Sequence, residues 1–175
     1  MFSIAKCPAP ANTMLDKYSK NGAYTDCYST EISMRILFPE FIFAFYTTPL
    51  FKLERFILKW TVSKPSTDIQ ARQLADGVSM EFAAWHVEAR SENEILMCDF
   101  LRRTRSWLMV VPVDDAQTQL YFGSAISSRE DSKTGRLSLG LGFRVLLGFH
   151  KIYSALLLYF AKWHIRDRVL EKESS

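Results

Sequence analysis

At 175 residues, with 48% hydrophobic and 23% charged positions, the chain is long enough to bury a core and too apolar for a disordered segment. The net charge is only +3, with Lys and Arg dispersed among Asp and Glu, which argues against a nucleic-acid partner. Three cysteines (Cys7, Cys27, Cys98) with no C-x-x-C pair read as free, mostly buried thiols of a reducing, cytoplasmic setting, not as a disulfide framework or zinc site.

The opening stretch MFSIAKCPAPANT has too short an apolar run for a secretory signal. Pro8, Pro10 and Asn12 predict a loosely ordered arm over residues 1–22, ahead of a single domain over 23–170. The alternating, β-favouring run AYTDCYSTEI predicts a first strand that ends before Ser33.

Small helices follow. Pro39 and Glu40 suit a first helical turn leading into FIFAFYT. Thr48 and Pro49 mark a second start, after which Leu50, Leu53, Phe56, Ile57 and Trp60 fall on one face. In STDIQARQLADG, Thr67 and Gln70 have capping-box spacing and Gly77 closes the helix.

From Met80 the period becomes two. MEFAAWHVEAR, EILMCDFL, RSWLMVVPV and TQLYFGSAISS predict four strands, joined by the short polar links SEN, RRT and DDAQ. Links this short make neighbouring strands antiparallel. After the polar stretch REDSKTG, the residues Val145, Leu146, Phe149, Ile152, Tyr153, Leu156, Leu157, Phe160 and Trp163 predict one apolar stripe on a long helix. Its run IYSALLLYFA reaches about half of the ~20 residues that a membrane span needs, so no transmembrane segment is expected.

The expected class is α+β: a curved antiparallel sheet of about five strands, small helices between the first strand and the meander, and the last helix covering the apolar face. This arrangement resembles the START-like (SRPBCC) helix-grip superfamily. The stretches FAAWHVEAR, EILMCDFLRRTRSWLMV, LYFGSAISS and LLGFHKIYSALLLYFAKWHIR are similar to an uncharacterised family within it, some of whose members are fused behind an NAD-binding, epimerase-like domain. The resemblance implies an apolar pocket between sheet and helix. It implies no particular chemistry, since that superfamily includes lipid carriers, hormone receptors and polyketide cyclases.

Candidate ligand-binding residues are therefore Trp85, Met97, Asp99, Arg105, Trp107, Phe122, Phe149 and Tyr153, with Tyr121 among the aromatic set. Asp99 and His150 are the candidate acid or base. Asp99, on a strand-like run with Ile95 and Met97, is expected to pair with Arg105. Arg102 and Arg103 read as a solvated hairpin turn. His86 is expected on the face opposite Trp85, and His164 as an imidazole favoured by the helix C-terminus.

No metal spacing, nucleophile elbow or dinucleotide fingerprint is present. FGSAIS lacks the elbow glycines, and Gly140 and Gly142 are misplaced for a fingerprint, so neither metal nor cofactor is expected. The leading expectation is a binding domain for a hydrophobic or amphipathic small molecule, such as a long-chain fatty acid or flat polycyclic compound. The alternatives are a cyclase- or hydrolase-type enzyme, and an interaction module working as a homodimer or beside a reductase-like protein.

Overall fold

The computed structural model describes residues 4–53, 66–126 and 153–168. Its strands are β1 (Ala5–Lys6), β2 (Tyr24–Ile32), β3 (Glu81–Phe82), β4 (Trp85–Arg90), β5 (Glu94–Asp99), β6 (Thr104–Pro112) and β7 (Thr118–Ile126). They form one antiparallel sheet in the order β1-β2-β7-β6-β5-β4-β3. After β2 the chain crosses to the far edge of the sheet. It then returns strand by strand, so that β7 pairs with β2 over their full lengths.

The class is α+β, as expected, but the sheet has seven strands among the described residues instead of about five. The two extra pieces, β1 and β3, are two residues long, too short to carry a periodic signal.

Among the described residues, three helical segments between β2 and β3 pack on one face of the sheet. They are α2 (Phe38–Tyr46), α3 (residues 49–53) and α4 (Asp68–Ala75), while α1 (Asp16–Lys20) belongs to the N-terminal arm. Thr48 Oγ1 accepts from the Phe51 amide at 3.2 Å and starts α3. The capping box of α4 forms as the spacing predicts. Thr67 Oγ1 accepts from the Gln70 amide (3.2 Å), and Gln70 Oε1 accepts from the Thr67 amide (2.9 Å). Gly77, at φ +75°, supplies the left-handed stop.

The helix-side core is aromatic. Phe41, Phe45, Tyr46, Phe51 and Phe82 are buried and joined by ring contacts, and the sheet meets them with Ile95, Met97, Leu108, Leu120 and Phe122. Leu50 packs against this core, but Leu53 is 56% exposed, contrary to the expected buried face; Phe56, Ile57 and Trp60 lie outside the described residues.

The last helix, α5 (residues 153–168), also turns a different side inward. Leu157, Leu158, Ala161 and Ile165 are buried, whereas Leu156 is 41% and Trp163 50% exposed. The helix is apolar almost all round here, so periodicity alone does not select the contacting side. Val145, Leu146, Phe149, His150 and Ile152 lie outside the described residues.

Residues 4–22 are not a loose arm. β1 pairs with the outer edge of β2, and Leu15 is fully buried against the second face of the sheet, in a cluster with Cys27, Leu96, Trp107, Met109 and Ala125. Gly123 makes room for it: a Cβ there would collide with Leu15 Cδ2 and lie 2.8 Å from the Asp26 carbonyl oxygen.

A β-bulge at Glu88 tunes both faces. Val87 pairs with Met97 and Ala89 with Leu96, leaving Glu88 unopposed. After the bulge the alternation resumes out of phase, which turns Arg90 to the helix side. There its guanidinium donates to the Leu74 and Ala75 carbonyls (2.6 and 2.5 Å) and closes the C-terminus of α4.

Candidate functional site

Residues directly opposite each other in a sheet share a face, so the register arranges the strands into rows. One helix-side row runs Asp26, Ser124, Ser106, Met97, Val87 across β2, β7, β6, β5 and β4. Beside it runs Tyr28, Phe122, Leu108 and Ile95. On the other flank lie Tyr24, Ile126 and Thr104, with Asp99 opposite Trp85 further along. A carboxylate thus stands in the β2–β7 pair, flanked by two tyrosines and two serines.

Asp26 is 3% exposed. Its Oδ1 accepts from the Ser124 amide (3.2 Å) and hydroxyl (2.5 Å). Its Oδ2 is buried and has no protein hydrogen-bond partner among the described residues. The same holds for the Tyr24 hydroxyl and for Ser154 Oγ of α5. Burial, and then the Asp26 charge, push both tyrosine hydroxyls up, Tyr28 to about 12, so they stay protonated and able to donate. Buried polar atoms are normally paired, and two unpaired ones on a single sheet face with a third on the helix that covers it need a cause.

Of the residues predicted to line a pocket, Trp85, Met97, Asp99 and Phe122 lie on this helix side, and Tyr153 packs against the same core. Arg105 and Trp107 lie on the opposite face, with the arm. Phe149 and His150 are outside the described residues. The predicted set therefore does not converge on one site, because successive strand residues alternate faces and Asp99 and Arg105 fall on opposite sides.

The expected Asp99–Arg105 pair is replaced by two separate arrangements. Asp99 Oδ1 accepts from the Arg103 and Thr104 amides (2.6 and 3.0 Å), organising the turn in which Arg102 adopts φ +57°. Arg105 Nε instead donates to Glu88 Oε2 at 3.1 Å. Glu88 also accepts from the Tyr18 hydroxyl and from Lys17 Nζ. Burial opposes ionisation of Glu88, but these three donors outweigh it and hold the carboxyl below its usual range. Nearby, Glu94 Oε2 accepts from Trp107 Nε1 (2.7 Å) and the Met14 amide (3.0 Å). These arm-side carboxylates fasten the N-terminal segment to the sheet.

His86 pairs with Cys98 in register and shares the face opposite Trp85, as expected. His164 differs from expectation: burial first, then Arg168 and Lys52, push its imidazole below its ordinary value, so helix-end stabilisation of the cation does not dominate. Among the described residues, no three His, Cys, Asp or Glu are grouped to hold a metal, and no helix is long and apolar enough to cross a membrane.

Sequence reasoning missed Asp26, Tyr24, Ser106, Ser124 and Ser154. The signal was present in YTDCYSTEI: alternation puts Tyr24, Asp26 and Tyr28 on the same face as Ile32, an acidic side chain on an aromatic stripe. No protein-family model matches the chain, and neither does any curated protein or solved structure compared with it.

Proposed function

We propose that this chain binds a small amphipathic molecule on the helix side of its sheet, with Asp26 receiving a hydrogen-bond-donating head group. The observation that carries the reading is the buried Oδ2 of Asp26, which has no donor among the described residues. An ammonium or hydroxyl group would satisfy it. The apolar part would lie along the aromatic side chains of the same face, Tyr28, Trp85, Phe122 and Tyr153. A fatty acid would bring its carboxylate toward another carboxylate and is disfavoured.

The placement of α5 supports this. Lys162 Nζ donates to Thr30 Oγ1 at 3.0 Å, and the Arg168 guanidinium lies 4.6 Å over the Phe43 ring of α2, the helix that follows β2. Both contacts hold α5 on the helix-side face of the sheet, where Asp26 Oδ2 and Ser154 Oγ lack a hydrogen-bond partner among the described residues.

The START-like, helix-grip assignment is part of this proposal. It draws support from the β3–β7 meander that ends beside β2 and from a helix seated on one face. A catalytic version would use Asp26 as acid or base in preference to Asp99, whose Oδ1 is engaged by the turn. The interaction-module reading is favoured by one observation, the exposed Leu156 and Trp163 on the outer side of α5.

Thermal melts with dodecylamine, dodecanol and dodecanoate test the proposal on the full chain and on Asp26→Asn. Stabilisation by the amine or alcohol, with a Kd in the micromolar range (roughly −8 kcal/mol), is expected in the parent and lost in the variant. No stabilisation by any probe, or equal stabilisation of both proteins, would overturn it, and concentration-dependent dimers sensitive to Trp163→Glu would then favour the interaction module.

A further inference from the structure

The arm brings two of the three cysteines together. Lys6 pairs with Tyr28, and the next residue, Cys7, donates its amide to the Cys27 carbonyl at 3.0 Å. The two thiols face each other across the strands with their sulfurs 3.4 Å apart, although 20 residues separate them in the chain. Cys98 is buried elsewhere on the sheet, opposite His86 on β5.

We propose that Cys7 and Cys27 are a reversible thiol–disulfide exchange site, oxidised by a low-molecular-weight disulfide of the glutathione class, that latches the N-terminal arm to the sheet. The geometry suits the bond. Opposed residues of a hydrogen-bonded antiparallel pair have Cα atoms about 5.5 Å apart, inside the range a disulfide spans. Closing the sulfurs to bonding distance needs about 1.4 Å, within reach of side-chain rotation.

The access pattern gives each thiol a role. Cys7 is half-buried and can meet a solution oxidant, whereas Cys27 is 2% exposed. Burial, then the hydrogen bond with Cys7, push the Cys27 thiol well up from its ordinary value, so Cys27 is not the first nucleophile. In the first step the Cys7 thiolate attacks one sulfur of the small disulfide. The S–S bond of the oxidant breaks, a mixed disulfide forms on Cys7, and the released thiolate takes up a proton. In the second step Cys27 Sγ attacks Cys7 Sγ, the mixed disulfide breaks, and the proton given up by Cys27 is balanced by the one taken up by the departing small thiolate. Altogether two protein thiols are oxidised and one small disulfide is reduced to two small thiols.

The bond would close a loop containing α1, Leu15 and Tyr18, the parts that fasten the arm. It would also lie directly behind the Asp26 row. Cys27 follows Asp26 in β2, and Leu15 rests on Gly123, the neighbour of Ser124. The latch uses different residues from the proposed ligand site, and its test does not depend on a ligand.

The full chain is reduced, treated with oxidised glutathione at about pH 8, denatured and alkylated, and its free thiols counted by intact mass. The parent should lose two free thiols and retain Cys98; Cys98→Ser should lose both it has. Cys7→Ser and Cys27→Ser should form no internal disulfide. The oxidised parent should melt higher and be cut more slowly by trypsin at Lys17 and Lys20, and dithiothreitol should reverse both effects. Three alkylated thiols, or glutathione retained on Cys7 with Cys27 still free, would overturn the site. A disulfide that leaves melting and trypsin cleavage unchanged would overturn the latch. The redox cycle on the parent decides both points even where a serine variant fails to fold.

Discussion

The two faces of the sheet treat their buried polar atoms in opposite ways. On the arm side, Glu88 accepts from Tyr18, Lys17 and Arg105, and Glu94 accepts from Trp107 and the Met14 amide. On the helix side, Asp26 Oδ2, the Tyr24 hydroxyl and Ser154 Oγ have no protein partner among the described residues. Apolar burial does not explain the difference, because Trp107 on one face and Phe122 on the other are both inside the protein. An unpaired buried polar group costs about 1–3 kcal/mol, and more if charged. The arm-side carboxylates repay their burial by fastening a segment. Asp26 does so only with one oxygen, and the ligand-binding proposal rests on the other.

The largest effect concerns the two cores. Trp107→Ala should lose about 3–5 kcal/mol in urea unfolding, as much as Phe122→Ala on the other face, since each empties a filled site. A loss below about 1 kcal/mol at Trp107 would show that the arm closes no real second core.

A smaller effect separates paired from unpaired carboxylates. Glu94→Ala removes the acceptor of two donors and should cost about 1–3 kcal/mol. Asp26→Asn keeps the shape of the side chain and an oxygen for Ser124, so without ligand it should change stability by less than about 1 kcal/mol. Equal losses at the two positions would erase the distinction between the faces.

The smallest effect is the acid sensitivity of the arm. Glu88 has a folded pKa below its ordinary 4.5, so its contribution to stability is present above that value and lost as pH falls through the folded one. Glu88→Gln should melt about 2–4 °C below the parent at neutral pH, and the gap should close on acidification below 4.5. A gap that stays constant with pH would mean that the cluster is held by packing instead of charge.

Much of the architecture was legible because its causes are local. The capping box at Thr67 and Gln70, the stop at Gly77, the strand of YTDCYSTEI and the antiparallel meander after Met80 each follow from a few neighbouring residues. Asp99 was the natural acidic candidate, but it stands at a strand end where the amides of the next turn consume its Oδ1. Asp26 carries the same signature in mid-strand, and its significance depends on Ser124, 98 residues away.

Residue order by itself determined the longer strands and the capped helices, because hydrogen-bond periodicity and capping act over a few residues, but not the two-residue strands β1 and β3 or the short α1. Tertiary structure alone decided which side of each element is covered. It buried Leu15 over Gly123, put Arg105 and Trp107 on the face away from Asp99, and turned Leu156 outward on α5. It also used the bulge at Glu88 to reset the alternation of β4. The physical reason is that a strand apolar on both faces and a helix apolar all round have no preferred side until a partner distant in sequence covers one of them.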